Sequence, residues 1–438
     1  MTVIRSLMPY RAGTILGAMP HAVESGQAYA AGGGHRGTES PERLLDHVAD
    51  AGLRGRGGAA FPVAVKLRTV RDGGGRPAVV ANGEEGEPGS VKDRWLLRAR
   101  PHLVLDGLAR AASITGATRG YVYVSDPYAA ARVRQAIAEC PPRIPTEVIE
   151  TAHTYVAGEE TAAVRRINGG PALPTAKPPR PYERGVGDQP TLVSNVETLA
   201  RIALIATHPE RRHEIAGSTV LTLSSPRGGA LLTEAPYGTT LAALATVQGT
   251  ARPVGALMGG LFGGLIGPEA LGLTLDGAEL AAAGTALGCG AVRFLGPGSC
   301  PVATAADAAG HLQAGSARQC GVCVSGTAAI ADTLRQLTDG SAPPDTEERL
   351  RRWSSGLPGR GACGLLDAAA GTAGSLLRAF PGLVRTHLGA GCADCAAAPP
   401  TGGHRLVVPV PPVMDHLGQR AHSSPESGPE RVSPSGPR

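Results

Sequence analysis

Aromatic side chains are scarce in this 438-residue sequence, and long apolar runs are missing. Only 3% of the residues are aromatic, so an aromatic side chain inside a motif is informative. No stretch of about 20 apolar residues occurs, and the nearest run, at 254–266, is short and broken by glycines. We therefore expect no direct membrane span. The N-terminus also lacks the apolar core of a signal peptide, which predicts a cytoplasmic protein.

Lysine is rare, although the basic residues slightly outnumber the acidic ones. The net charge is +5, and the basic residues are scattered and not interleaved with aromatics, so nothing favours nucleic acid as a partner. An acidic protein partner stays open. Of 42 basic residues only Lys66, Lys92 and Lys177 are lysines, and all three lie in motif segments described below. The eight cysteines, in a reducing compartment, predict thiols or metal ligands rather than disulfides.

The length predicts two to four domains, and the pattern of the N-terminal half predicts an α/β fold. Residues 76–82 and 120–125 read as buried strands, and a helix to Cys140 precedes a further strand at 147–150. Strand, helix and strand in this order favour a parallel sheet with helices on its faces. Residues 171–190 carry six prolines and read as a loop or linker.

The other segments of the chain differ in composition and in the structure that their pattern predicts. The pattern predicts a loosely structured arm at 1–42, a helix at 192–207, a small β-rich domain at 218–295, a bundle of amphipathic helices at 303–380, and disorder beyond about 419.

Residues 52–62 (GLRGRGGAAFP) form a glycine-rich segment that opens a helix. Four glycines in seven positions allow a ligand to approach the backbone closely, and Pro62 suits the first turn of a helix. The free N–H groups at a helix N-terminus favour a phosphate, which Lys66, one turn further on, could also reach. The P-loop pattern and the dinucleotide-binding context are both absent. A tight surface turn stays the alternative.

Three other segments carry polar side chains at places where ligands bind. Residues 81–94 (ANGEEGEPGSVKDR) follow a buried strand and place Glu84, Glu85 and Glu87 within four positions. Crowded carboxylates suit sugar hydroxyls or ring N–H groups, although a solvated acidic loop explains them equally well. Residues 155–162 (YVAGEETA) and 190–200 (PTLVSNVETLA) indicate no more than a strand-to-helix turn and a capped helix start.

The cysteine spacing predicts a metal site. Cys320 and Cys323 form a CxxC pair 40 residues before Cys363, and Cys392 and Cys395 form a second pair. CxxC pairs in a reducing compartment indicate an iron–sulfur or a zinc site. A single pair in an alanine-rich helix can equally bind nothing.

Together and in this order, these five segments closely resemble the F subunits of the NADH-quinone oxidoreductases, which oxidise NADH and carry a flavin. The same module occurs in NAD-linked hydrogenases and formate dehydrogenases, and the resemblance covers roughly residues 43–385. It implies an arm at 1–42, an α/β domain for FMN and NADH at 43–215, a small ubiquitin-like (β-grasp) domain at 216–300, a helical bundle with an iron–sulfur site at 301–390 and a largely disordered tail at 391–438.

The resemblance also implies the roles of individual residues. For FMN these are Gly55, Gly57, Gly58, Lys66, Asn82, Glu84, Tyr155, Gly158, Glu159, Glu160, Val193, Ser194 and Asn195. For NADH they are Phe61, Glu85 and Glu87, and for a [4Fe–4S] cluster Cys320, Cys323 and Cys363. The implied chemistry is hydride transfer from NADH to FMN, followed by one-electron transfer to the cluster and then to a ferredoxin-like or other iron–sulfur protein subunit, or to a quinone-linked acceptor. It requires no catalytic side chain.

Several positions depart from the family pattern. Glu84 replaces an aspartate, Ser194 replaces an asparagine, and Thr69 and Arg180 stand where aromatic side chains stack on the NADH adenine. Gly326 occupies the position of the third cluster cysteine.

The departures leave two alternatives open. Cys300, Cys392 or Cys395 could replace the missing cluster ligand, or Cys392 and Cys395 could form a zinc site with Cys320 and Cys323. The alternative function is a degenerate paralogue that acts as a flavin-binding or scaffold subunit without NADH turnover.

Overall fold

The computed structural model describes residues 1–36 and 39–415. Its strands are β1 (Thr2–Ile4), β2 (Ala78–Asn82), β3 (Arg119–Val124), β4 (Thr146–Glu150), β5 (Thr191–Asn195), β6 (Ser218–Ser224), β7 (Ala230–Pro236), β8 (Gly255–Met258), β9 (Gly264–Ile266) and β10 (Ala291–Leu295).

The helices of the N-terminal half are α1 (Gly26–Ala31), α2 (Pro41–Asp50), α3 (Val63–Asp72), α4 (Lys92–Ala99), α5 (Pro101–Thr115), α6 (Pro127–Glu139), α7 (Glu160–Ile167), α8 (Val196–Thr207) and α9 (Arg212–Ala216). Those that follow are α10 (Leu241–Gln248), α11 (Gly277–Ala282), α12 (Pro301–Ala314), α13 (Gly321–Asp339), α14 (Thr346–Gly356), α15 (Leu365–Ala379), α16 (Pro381–Thr386) and α17 (Ala393–Ala397). Within the described ranges no helix is both long and apolar enough to cross a membrane.

A four-stranded parallel sheet in the order β4-β3-β2-β5 confirms the predicted α/β fold. Its central strand β2 is almost wholly apolar because helices cover both faces of the sheet. The prediction of a helix over 192–207 is wrong for its first residues. Leu192 and Val193 lie in β5, in register with β2, and the helix α8 begins only after Asn195, whose side chain caps it by accepting from the N–H of Glu197.

A second sheet forms the predicted ubiquitin-like domain. Its order is β1-β7-β6-β10-β8-β9, in which β10 runs parallel to β6 and antiparallel to β8, and α10 follows β7. The N-terminal segment is part of this sheet rather than a loose arm. β1 pairs in parallel with β7 through Thr2 and Ala230, and Ile15 and Leu16 are buried in the core. The apolar side chains of this N-terminal segment thus pack against residues that lie far along the chain.

Helices α12, α13 and α15 pack as the predicted bundle around an alanine- and leucine-rich core. The segment 391–415, expected to be disordered, is folded. It contains α17, its Cys395 side chain is buried, and the N–H of Val408 donates to the carbonyl of Pro88 at 2.9 Å. The order comes from apolar side chains that pack on the two larger domains. The predicted disorder beyond about 419 lies outside the described residues.

Helices α5 and α8 cross behind the parallel sheet at a glycine. A Cβ atom at Gly107 in α5 would lie well under 3.0 Å from the carbonyl oxygen of Leu199 in α8. The close approach of the two backbones therefore depends on the absence of a side chain at this position. Because α8 begins directly after Asn195, the crossing also fixes the end of β5.

Candidate functional site

The glycine-rich loop lies across the carboxyl end of the parallel sheet. Asn82 and Asn195 are neighbours at that end, on β2 and β5. A Cβ atom at Gly57 would lie 3.3 Å from the Cβ atom of Asn195, and Gly58 has a φ of +114°, which only glycine adopts without strain. The loop is followed by α3, so backbone N–H groups and a helix N-terminus meet the ligand-binding edge of an α/β sheet.

Lys66 and Lys177 meet at the start of α7. The Nζ atom of Lys66 donates to the carbonyl of Val193 at 2.7 Å and lies 3.7 Å from a carboxylate oxygen of Glu160. Lys177 lies 2.6 Å from Glu159 and 3.3 Å from Glu160. Burial lowers the pKa of Lys66, and the Glu160 carboxylate opposes that effect. Lys66 therefore joins β5 and α7 at the edge of the site.

Glu84 is buried with an unsatisfied carboxylate. Neither of its oxygens accepts a hydrogen bond from the described residues, although the Nδ1 atom of His153 is 3.3 Å from one of them. Next to it, the Asn82 side chain donates to the carbonyl of Gly158 at 2.8 Å. A buried acceptor without a donor is costly, so Glu84 suits a ligand that brings hydroxyl or ring N–H groups.

Gly158 and Ser194 lie at the same edge of the sheet. A Cβ atom at Gly158 would lie 2.9 Å from the carbonyl oxygen of Glu84, so the two loops pack backbone to backbone. Ser194 is buried in β5 opposite Ala81. The predicted FMN residues therefore converge at one edge of the sheet, where their individual roles stay predictions.

Glu85 has a different surrounding from the one that the family pattern implies. One of its oxygens accepts from the hydroxyl of Ser90 at 2.6 Å and the N–H of Asp93 at 3.1 Å. The other accepts from the backbone N–H of Arg94 at 3.1 Å and from its side chain at 3.4 Å. A carboxylate offers about four acceptor positions, and all four are used at the start of α4. The predicted NADH contact thus finds no free acceptor on Glu85.

Glu87 is withdrawn from water and touches two neighbouring loops. One oxygen accepts from the N–H of Leu261 at 3.2 Å and lies 3.5 Å from the hydroxyl of Tyr155, whereas the other is buried without a partner among the described residues. Burial raises the pKa of Glu87 to about 8. Burial also raises the pKa of Tyr155, and the nearby Glu87 adds to that effect. Burial of this carboxylate therefore favours its protonated form.

Phe61 is the exposed aromatic side chain of the glycine-rich loop, with 52% of its surface open. Thr69, at one position where the family has an aromatic, is exposed on α3 and bonds back to the carbonyl of Val65. Arg180, at the other, lies 4.0 Å from Glu160. Phe61 is thus free to stack on a ring, and the two replaced positions offer no stacking surface except the guanidinium of Arg180.

Cys320, Cys323 and Cys363 lie together at one end of the helical bundle. Cys320 occupies the N-cap position of α13, and the proximity of Cys323 and Cys320 adds to the raised pKa of Cys363. Burial raises the pKa of Cys363 and of Cys323. At Gly326 a Cβ atom would lie 2.9 Å from Leu366 and 3.1 Å from Leu357. Leucine side chains therefore fill the space where the third cysteine of the family pattern would project.

Three of the other cysteines gather at a second place. Cys300, Cys392 and Cys395 surround His387, and the four ligand atoms lie within 4.8 Å of one another. Both alternatives that the spacing left open for these cysteines are wrong, because this group forms around the start of α12 whereas Ser316, beyond the end of α12, lies 3.8 Å from Cys323. A helix of 14 residues separates the two places by about 20 Å. The sequence reasoning missed His387, although the spacing H-x4-C-x2-C could have indicated it.

A buried network of charges behind the site was also missed. Glu197 lies 3.0 Å from Lys92, 2.8 Å from Arg201 and 3.8 Å from Arg56, and each of these side chains is at most 5% exposed. Burial alone would raise the pKa of Glu197, but Lys92 and Arg201 hold it at about 2. Arg56 donates to the carbonyls at the start of the ubiquitin-like domain, which ties the glycine-rich loop to that domain.

Comparison with known proteins places both halves of the site in one family. Residues 48–204 match the family model described as Nuo51 FMN-binding domain, and residues 303–387 match that of the NADH-ubiquinone oxidoreductase-F iron-sulfur binding region. The NADH-quinone oxidoreductase F 2 subunit of Rhizobium meliloti (strain 1021) is 32% identical over 78% of this chain and 89% of its own length. The chain belongs to the family of NADH-quinone oxidoreductase F subunits.

Other members and a solved structure agree with this assignment. The NADH-quinone oxidoreductase F subunit of Streptomyces coelicolor is 30% identical over 81% of this chain and 85% of its own length. A chain of a structure titled NAD+-reducing [NiFe]-hydrogenase in the H2-reduced state is 29% identical with a TM-score of 0.71. That match covers 80% of this chain but only 63% of the hydrogenase chain. The family membership confirms the resemblance on which the predicted cofactors rest.

The raised pKa of Glu87 predicts how the stability of the ligand-free protein depends on pH. The folded protein keeps the Glu87 proton up to about pH 8, whereas an unfolded glutamate loses it near 4.3, so unfolding releases a proton between these values. The free energy of unfolding should therefore fall as the pH rises from about 4.5 to about 8. The variant Glu87→Gln, which stays neutral, should lack this contribution.

Thermal unfolding midpoints of wild type and Glu87→Gln, measured in parallel from pH 5 to pH 8.5, check this prediction. The advantage of the variant should grow over that range. A constant difference between the two proteins would show that Glu87 is ionised in the folded state.

Proposed function

We propose that this protein oxidises NADH with a bound FMN and passes the electrons on, one at a time, through an iron–sulfur centre. The observation that carries this proposal is the edge of the parallel sheet, where the glycine-rich loop before α3 lies beside the end of β5 and the unsatisfied carboxylate of Glu84 follows the neighbouring strand β2. The family membership supports the same cofactors.

The residues of this edge fit FMN. The loop at Gly57 and Gly58 and the amine of Lys66 would hold the phosphate, and Glu84 would accept from polar groups of the ribityl chain or the flavin ring. When bound, FMN accepts a hydride from NADH and gives up electrons singly. Phe61 would contact the dinucleotide through its exposed ring.

The loop that carries Tyr155 lies beside the helical bundle with Cys320, Cys323 and Cys363. Tyr155 stacks on Phe262 with ring centroids 6.4 Å apart, and Phe262 lies against the residue that follows Cys363. Burial raises the pKa of Tyr155, and nearby Cys363 contributes in the same direction. A cluster held by Cys320, Cys323 and Cys363 would therefore sit directly beside the loop that carries Tyr155.

The cysteine site fits an iron–sulfur cluster with three protein thiolates. Gly326 supplies no ligand, and the leucines around it leave no room for one to reach in from that side. One iron would then carry an exchangeable ligand and be lost more easily on oxidation.

The partner we propose is a ferredoxin-like or other iron–sulfur subunit. The related proteins are named as subunits of NADH-quinone oxidoreductases and hydrogenases, which suits assembly with such a partner. The eight cysteines are all free thiols, which suits work in the reducing environment of the cytoplasm.

A second candidate is a flavin-binding or scaffold subunit without NADH turnover. The packing of Leu357 and Leu366 at Gly326 favours it, because this packing adapts the bundle to the loss of a cluster ligand. An absorbance spectrum of the purified protein separates the two: flavin bands with an iron–sulfur shoulder support electron transfer, whereas neither feature after anaerobic reconstitution supports the scaffold.

The variant Lys66→Ala tests the proposed flavin site. The loss of a charge-assisted contact to the phosphate should weaken FMN binding about 10- to 100-fold, as measured by calorimetry or by flavin fluorescence. The control is Arg68→Ala, because a residue two positions along the same helix points to another face.

The control should bind FMN as the wild type does. If the wild-type protein with excess FMN binds none, the proposed function is wrong. Equal losses in both variants would show that only the overall charge matters, and the phosphate site would have to lie elsewhere.

A further inference from the structure

We infer that Cys300, His387, Cys392 and Cys395 form a structural zinc site, separate from the proposed iron–sulfur site. Their ligand atoms all lie within 4.8 Å of one another. They come from three places in the chain: the start of α12, the end of α16 and the start of α17.

The distances match the edges of a zinc tetrahedron. The Sγ atoms of Cys300 and Cys395 are each 3.5 Å from the Nε2 atom of His387. With Zn–S bonds of about 2.3 Å and Zn–N bonds of about 2.0 Å, a tetrahedral site places sulfur and nitrogen ligands roughly 3.5 Å apart. A cluster of several irons needs a wider spacing, because its own sulfides separate the ligands.

The histidine is held in the orientation that a metal requires. Its Nδ1 atom is 2.7 Å from the carbonyl oxygen of Leu383, and a carbonyl can only accept, so Nδ1 carries the proton. Nε2 then presents its lone pair to the two sulfur atoms. Such a backbone acceptor behind a ligating histidine is the usual arrangement in zinc sites.

The burial favours a structural role over a catalytic one. His387 is 0% exposed, Cys395 3% and Cys300 7%, and Cys392 is half-buried. Three thiolates and one imidazole complete the tetrahedron, so no position remains for water or substrate. The bound ion would link the segment 387–395 to the start of α12, the first helix of the bundle.

The experiment measures zinc and iron in the full chain after anaerobic reconstitution with iron and sulfide and with one equivalent of zinc. Wild type should hold about one zinc per chain. The double variant Cys392→Ser/Cys395→Ser should lose the zinc and keep its FMN and iron. Cys363→Ser should keep the zinc and lose iron, and Cys140→Ser, outside both groups, should lose neither.

A second measurement on the wild-type protein does not depend on any variant folding. Cobalt(II), added to the zinc-free reduced protein in place of zinc, should give the intense visible bands and thiolate charge-transfer absorption of a four-coordinate site, and one equivalent of zinc should abolish them. Weak six-coordinate bands, or zinc that persists in the double variant, would each overturn the inference. Because FMN is measured separately, failure of the zinc site leaves the proposed function intact.

Discussion

The variant Gly107→Ala should lower the free energy of unfolding by at least about 3 kcal/mol, at the upper end of the cost of overpacking. Its new Cβ atom would meet the backbone of Leu199, which cannot turn aside as a side chain can. To relieve the clash, α8 has to move, and Asn195 at the start of α8 moves with it. We therefore expect weaker FMN binding as well as lower stability, measured by urea unfolding and by flavin titration.

Gly371→Ala is the matched control for this variant. Gly371 also lies inside a helix, α15, but a Cβ atom there meets nothing within 4 Å. The higher helix propensity of alanine should raise the stability of this variant by up to about 1 kcal/mol. If both alanines behave alike, the close crossing of α5 and α8 is not a constraint on the fold.

Removing the carboxylate of Glu197 should have an effect of similar size. In Glu197→Ala, the cations of Lys92, Arg56 and Arg201 stay buried without their shared partner. Breaking a buried ion pair from one side costs about 3–5 kcal/mol. Lys92 keeps Asp93 at 2.7 Å and Arg201 keeps Glu234 at 3.6 Å, so we expect a loss at the lower end of that range. The measurement is again the urea midpoint, together with the temperature at which the protein unfolds.

The control is Glu347→Ala, which breaks an exposed pair with Arg351 on the surface of α14. An exposed pair one helical turn apart contributes less than about 1 kcal/mol. A loss in Glu197→Ala no larger than in this control would mean that water reaches the network and that its charges do not hold the two domains together.

The sequence predicted best those features that depend on neighbouring residues. The strand at Ala78–Asn82 and the helix start at Asp126 follow from a short apolar run and a capping side chain. The glycine-rich loop was equally predictable, because several glycines before a helix strongly favour a loop. The family pattern then correctly indicated the ubiquitin-like sheet, whose short strands are ambiguous by themselves.

The errors arose where contacts join distant parts of the chain. Residues 192–195 continue the apolar pattern of α8, and only pairing with β2 makes them a strand. The segment 391–415 is rich in proline and has no regular apolar pattern, and its apolar side chains are ordered by packing on distant parts of the chain. Cysteine spacing could not assign six of the eight thiols to two groups of three, because a CxxC pair does not indicate which partner lies beside it in space.

The pairing of β1 with β7 has a consequence for synthesis of the protein on the ribosome. Thr2 emerges from the ribosome well before its partner Ala230, which follows more than 200 positions later. The first strand must therefore wait, unpaired and with Ile4 exposed, while the whole parallel-sheet domain is translated and can fold. A strand made early thus completes a sheet whose other strands are made late, and a ribosome that pauses before β7 carries an unpaired apolar strand that a chaperone can protect.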